Sequence, residues 1–492
     1  MVGPSERQRV VYRISSTDVG DLYAPGDIDN PDAGVNRPGT LGAWVLATWV
    51  GVAMVVLLPA VLVYATPNAK SASWILALVV MTTSGCRFAW IIGDGRRRLY
   101  ELSFWVFTYV FLGTAPLVQL RSGVTPSTTP RIDTTLQQAA MVVGIVGIVA
   151  FGIGLSISGP RRFPRARYVV NGVDLGRAVA LALFALLFDA YFIANVGFGA
   201  LFSSRADYSE AVTSVWVETS VSALVVAITV MMLLVSFIAL VKCIWQIKRA
   251  EWPLIALTVL VGLALAITVN PITSPRYIFG TVALAVAALF GVFATARRFR
   301  IAAIIWVIAL ILVFPFADAF RYSSVPSFKS NSVLESLTSP DFDAFAQINN
   351  ALLYVERHGV TQGRQAVGVA LFWVPRRFWP DKPRDTGSLL ADDRKYAMAN
   401  LSGPLWAEMY INGGWPLLVL GMLGFGVLVR SQDSRIEEHL RRRARAPGIL
   451  ACIMPFYLAI LLRGSLLQAM SYLVVIVSCT VFVSRWERTS GR

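Results

Sequence analysis

Arginines and tryptophans crowd one short stretch of this chain, Phe372-Trp-Val-Pro-Arg-Arg-Phe-Trp-Pro-Asp-Lys-Pro-Arg-Asp-Thr-Gly387. A guanidinium holds a phosphate or diphosphate through two parallel N–H···O bonds. Aromatic faces such as Trp379 stack on the CH faces of a sugar, or anchor a loop at headgroup depth. Arg376 and Arg377 therefore suit an anionic sugar derivative. Arg205, Arg276 and Arg321 stand elsewhere in the chain, each at or near the end of an apolar run, where a guanidinium has few waters and wants an anion. Downstream, Leu405-Trp-Ala-Glu-Met-Tyr-Ile-Asn-Gly-Gly-Trp-Pro416 carries Glu408 as its only carboxylate. Such a group can deprotonate a hydroxyl or pair with an arginine, and the sequence leaves both open.

The elements that must position these residues are membrane helices. The 492 residues are 56% hydrophobic and 15% charged, against about 25% charged in a soluble domain. Many runs reach the roughly 20 apolar residues that cross a bilayer as a helix. They lack the two-residue alternation of a membrane barrel. The expected fold is all-α and polytopic, with about 12 spans at 42–65, 72–93, 101–120, 136–157, 177–196, 212–245, 253–270, 277–296, 301–319, 415–430, 448–467 and 470–484. The sixth is long enough to tilt or to leave the membrane.

Basic clusters set the orientation. Arg96-Arg-Arg98, Arg161 to Arg167, Lys248-Arg249, Arg297 to Arg300 and Arg441 to Arg445 fall at every second connection, as the positive-inside rule requires. This accounts for the net charge of +15 without nucleic acid. Both ends are then cytoplasmic: a flexible tail over 1–41, with no signal-peptide core, and a short tail over 485–492. Spans 1–9 occupy 42–319 and spans 10–12 occupy 415–484. The intervening 320–414 is a large, partly helical extracytoplasmic loop. Within it, Phe342, Phe345, Ile348, Leu352 and Val355 share a helical face that Asp341 would cap. Three prolines exclude a regular helix over Trp373–Pro383. Gly413-Gly414 reads as a turn into the next span, with Pro416 in its first turn.

Arg87, Asp189, Glu218 and Arg463 fall inside or beside spans, and an Asp189–Arg87 pair is the plain expectation for two of them. Cys86, Cys243, Cys452 and Cys479 are not spaced for a metal or a disulfide and read as packing residues. There are two histidines, no zinc cluster, no P-loop and no dinucleotide fingerprint. No paired-acid motif opens the first outer loop. Any catalysis is therefore expected to use no metal or cofactor and to act through positioning and electrostatics.

In order along the chain, Ser204-Arg-Ala-Asp-Tyr-Ser209, Thr273-Ser-Pro-Arg-Tyr-Ile-Phe-Gly280, Phe320-Arg-Tyr322, Val374-Pro-Arg-Arg-Phe-Trp-Pro-Asp-Lys-Pro383 and Ala407-Glu-Met-Tyr-Ile-Asn-Gly-Gly414 resemble the oligosaccharide repeat-unit polymerase family, the Wzy-type O-antigen polymerases. The chain departs from that pattern at Asn412-Gly-Gly and at Pro275. The resemblance implies a multi-pass protein of a bacterial cytoplasmic membrane with an extracytoplasmic active site. It implies transfer of a glycan from undecaprenyl diphosphate to the sugar end of a second lipid-linked repeat unit. Membrane lipids surround it, and a chain-length regulator or a flippase would be its partner. On this reading Arg205, Arg276, Arg321, Arg376 and Arg377 hold the diphosphate, Trp379 and Tyr208 line the substrate, Glu408 is the base and Asp381 stands second. An O-antigen ligase shares this topology and commonly uses a loop histidine, for which His358 is available. A transporter or flippase would have short loops and a charged midplane path.

Overall fold

The computed structural model describes residues 39–157, 168–247, 251–313, 333–442 and 445–488. Eight helices are long and apolar enough to cross a membrane: α1 (Leu41–Ala65), α2 (Trp74–Asp94), α3 (Leu99–Ser122), α4 (Gln137–Ile157), α5 (Leu175–Val196), α7 (Thr219–Gln246), α15 (Leu405–Arg441) and α17 (Leu466–Val483). Shorter apolar helices are α8 (Trp252–Thr268), α9 (Arg276–Leu289) and α16 (Ile449–Arg463). Another, α10 (Ala296–Ile308), continues as a wider π-helical turn over Ala309–Val313. The apolar helices mark an all-α, multi-pass membrane protein.

The expected sixth span divides. Its start belongs to a separate helix, α6 (Arg205–Val215), capped by Ser204, whose Oγ accepts the Asp207 N–H. A break at 216–218 precedes α7, with Glu218 as its N-terminal flanking residue. Polar Asp207, Ser209 and Glu210 explain why the apolar run cannot extend back through α6. A small antiparallel sheet pairs β1 (Tyr168–Val173) with β2 (Ser484–Arg488), so the residues after α17 are not all tail.

The segment expected outside the cytoplasm, here the outer segment, folds as α11 (Val333–Leu337), a 3₁₀ turn over Pro340–Phe342, α12 (Ala344–His358), α13 (Arg364–Ala370) and α14 (Thr386–Arg394). Phe342, Phe345, Ile348 and Leu352 are buried, as the helical spacing requires. The capping expectation fails by two residues: Asp343 precedes α12, and Asp341 lies in the 3₁₀ turn with its carboxylate on Arg276. The last part of this segment is already the start of α15, up to its break.

That helix is the strut of the fold. It breaks at Gly413 (φ −157°) and Gly414 (φ +61°, ψ −149°). The left-handed φ at Gly414 suits a residue without Cβ, and Pro416, which lacks an N–H, then sits in the first turn after the break. Beyond it α15 meets α4 in close backbone contact at Gly154 and Gly426. A Cβ on Gly154 would collide with the Leu423 carbonyl, and one on Gly426 with the Phe151 carbonyl. Small residues permit such approach in membrane bundles.

Inside this pair lies α3, buried along its whole apolar length. Its aromatics form a column. Phe104 stacks on Phe151 (3.5 Å between centroids), Phe107 on Phe111 (4.7 Å) and on Trp406 (6.2 Å), and Phe111 on Phe342 (5.1 Å). The column thus links a central span to the 3₁₀ turn of the outer segment. Trp406 is fully buried and donates Nε1–H to Gly144 O at 3.2 Å.

At the end of α15 remote from the outer segment, Asp433 accepts the Tyr100 and Glu101 N–H groups, both at 2.9 Å, capping α3. Glu437 pairs with Arg97 at 2.7 Å. Arg87 pairs with Glu101 at 2.6 Å, not with Asp189. Asp189 instead accepts the Thr268 hydroxyl at 2.9 Å. The reason is position: Glu101 lies in the first turn of the helix beside Arg87, whereas Asp189 faces α8.

Gly426→Val is expected to destabilise the protein by roughly 2 kcal/mol or more, because a branched side chain must displace the α4 backbone. Gly424→Ala, where a Cβ meets nothing within 4 Å, should have little effect. Melting temperatures of the two variants in detergent check this, and equal values would contradict the packing.

Candidate functional site

The sequence-derived residues fall into two neighbourhoods. The first is built on α9, α12, α15, α16 and the start of α17. Arg276 opens α9 and meets Asp341 at 2.6 Å, with 9% and 14% of the two side chains exposed. Arg463, the last residue of α16, donates Nε–H to Asp341 O (2.8 Å) and Nη2–H to Pro340 O (3.2 Å) and Asp343 Oδ1 (3.1 Å). Its guanidinium lies over the Tyr277 ring, 5.0 Å from the centroid. The other Asp343 oxygen accepts the Ser402 N–H at 3.1 Å. Two arginines from apolar helices therefore grip Asp341 and Asp343, two residues apart in one turn.

Glu408 lies beside this network, in the first turn of α15. Its Oε1 accepts the Ser465 hydroxyl (3.1 Å) and the Leu466 N–H (3.0 Å). Ser465 Oγ in turn accepts the Thr386 N–H at 3.2 Å. The Gly403 N–H donates to Arg463 O at 3.1 Å, closing the loop of contacts. Glu408 is 2% exposed, and no basic side chain pairs with it among the described residues. Of the two roles the sequence left open, an arginine pair is not the one observed. The carboxylate caps α17, where the N-terminal helix dipole favours negative charge.

The second neighbourhood is the proline-rich stretch after α13. It forms successive turns, held from beneath by Lys382. The buried Lys382 Nζ donates to Phe372 O (2.5 Å) and Val374 O (2.9 Å). Burial pushes its ammonium below the usual range, Arg376 pushes it further, and Glu218 pulls it back up. Arg376 is exposed but donates to Lys382 O at 2.8 Å and Pro383 O at 3.4 Å. Arg377 is exposed and packs over Phe378, 5.0 Å from its centroid. Trp379 is partly buried, and Asp381 is exposed, its backbone carbonyl accepting Arg364 Nη2–H at 2.9 Å.

On α6, Arg205 is partly exposed and Tyr208 packs against Phe192, 6.5 Å between centroids. Burial pushes the Tyr208 hydroxyl well above its ordinary range, with Tyr472 and Asp189 adding to the effect. Arg321 lies outside the described residues. Other outer arginines serve the backbone: the buried Arg121 donates to Thr66 O and Val63 O, and Arg394 to Arg131 O. His358 Nε2 meets Asp393 Oδ1 at 2.7 Å on an exposed surface.

Sequence reasoning singled out Arg463 and Glu408 but missed Asp343, Ser465 and Lys382. The Asp341-Phe-Asp343 spacing just before a helix was the available signal for the first. Ser465 carries none, because its role depends on two other segments. Among the described residues no group of acids, histidines and cysteines is arranged to hold a metal ion.

Asp343→Ala would strand Arg463 and the Ser402 N–H. The expected cost is about 3–5 kcal/mol, the range for breaking a buried pair. Asp393→Ala, which opens contacts to the exposed Arg357 and His358, should cost under about 1 kcal/mol. Thermal unfolding in detergent distinguishes the two, and similar losses would contradict the anchoring role. No family model matches this chain, and neither a curated protein nor a solved structure matches it.

Proposed function

We propose that this protein is an integral membrane glycosyltransferase that joins oligosaccharide repeat units carried on a lipid diphosphate, building a surface polysaccharide without a metal or cofactor. The observation that carries this reading is Glu408: a buried carboxylate with no cation on it, held through Oε1 by Ser465 and Leu466. A carboxylate free of an arginine can accept a proton from an acceptor hydroxyl. Arg377, exposed and pairing with no acid among the described residues, and Arg205 supply charge for the diphosphate leaving group. Trp379 and Tyr208 offer ring faces to the sugars. Arg276 contributes differently, because its guanidinium already engages Asp341; its first role is to fix the outer turn. Asp381, exposed beside the arginine turns, remains the second carboxylate.

A ligase is the second reading, and the His358–Asp393 contact favours it. A histidine oriented by a carboxylate can serve as a general base.

The test is turnover of a defined lipid-linked repeat unit by purified protein in lipid. Glu408→Gln should lower the rate by about 10²–10⁴-fold, the usual contribution of a general base. Arg377→Ala should raise KM or lower kcat with the protein still folded. A Glu408→Gln variant of full activity would sink the base assignment. Loss of transfer to a final acceptor in His358→Ala, with polymerisation intact, would favour the ligase.

A further inference from the structure

We infer that the segment from Val360 to Phe378 is an interfacial anchor, seated at headgroup depth in the lipid leaflet next to the outer segment. Its start is bonded to the strut helix at the break. The Thr361 N–H donates to Ile411 O (2.8 Å), the Gly363 N–H to Asn412 O (2.9 Å), and the Ala366 N–H to Asn412 Oδ1 (3.0 Å). Ile411 and Asn412 immediately precede Gly413-Gly414. Past that break α15 turns apolar and outward-facing, with Trp415 and Leu420 exposed. The hydrogen bonds thus fix the segment where the lipid-facing stretch of α15 begins.

From this tether the chain presents an apolar surface. Val367, Leu371, Trp373 and Phe378 are exposed, the last two at 68% and 71%. Arg364, Arg376 and Arg377 interleave with them. The bonds from Lys382 Nζ to Phe372 O and Val374 O and from Arg376 to Lys382 O stiffen the turns from below, so the rings cannot fold inward without breaking buried bonds. In water this surface would leave large rings unpaired. A bilayer interface satisfies both halves, the rings at the acyl boundary and the guanidiniums on lipid phosphates. Charge complementarity selects an anionic lipid surface over an apolar protein partner. The inference rests only on α15 crossing the membrane and holds whether or not the chain is a transferase.

The test uses the full-length protein with Cys86→Ser, which removes the one exposed cysteine among the described residues; Cys243, Cys452 and Cys479 are buried. A nitroxide is attached to Phe378→Cys, and the protein is placed in vesicles of phosphatidylethanolamine and phosphatidylglycerol. Power saturation then compares collisions with oxygen and with a water-soluble nickel chelate. Anchoring predicts that oxygen dominates, with a depth near the lipid phosphates. Dominance by the nickel chelate overturns the inference, and so does a label shielded from both, which would mean a protein covers the patch. Trp373→Cys, labelled the same way, serves if the first variant does not accumulate.

Discussion

The segment ahead of α15 depends on two arginines that reach it from the shorter apolar helices α9 and α16. Arg276 and Arg463 belong to different helices and meet acids two residues apart. Charges this poorly hydrated are stable only when paired and hydrogen-bonded. Arg463 goes further and satisfies two backbone carbonyls of the same turn. With the 3₁₀ turn held, Phe342 enters the aromatic column over α3, and α12 leaves at a fixed angle with Phe345, Ile348 and Leu352 inward. The polar anchor and the apolar column are one device, joined at Phe342.

Helix α15 repeats a single physical solution at both ends. Glu408 caps α17 and Asp433 caps α3. Each carboxylate satisfies N–H groups that a helix cannot satisfy itself, and each sits where the helix dipole is positive. The strut therefore fixes the start of two other helices by hydrogen bonds and a third, α4, by close backbone contact. The bonds from Ser465 and Leu466 hold the Glu408 side chain in one orientation.

The arginines in and around the outer segment divide by task. Arg121, Arg276, Arg394 and Arg463 hold backbone or acids in place. Arg377 stays on the surface with its neighbouring rings. Most of these arginines thus serve the architecture, and Arg377 is exposed.

Much of the fold was legible in the chain. Apolar length marked the membrane helices to within a few residues for α1 to α5, because hydrocarbon thickness sets that length directly. The period of Phe342 to Val355 gave a buried helical face, and Gly413-Gly414 before Pro416 gave the break, since glycine freedom and the missing proline N–H are local properties. Partners were not legible. The sequence could list Arg87, Asp189, Glu408 and Arg463 as polar residues that need one, yet Glu101, Thr268, Ser465 and Asp343 were chosen by how distant segments pack. Hydrophobicity and backbone preference act over a few residues and are written in order along the chain. Hydrogen bonds and ion pairs need ångström proximity, which only the packing of α9, α12, α15, α16 and α17 decided.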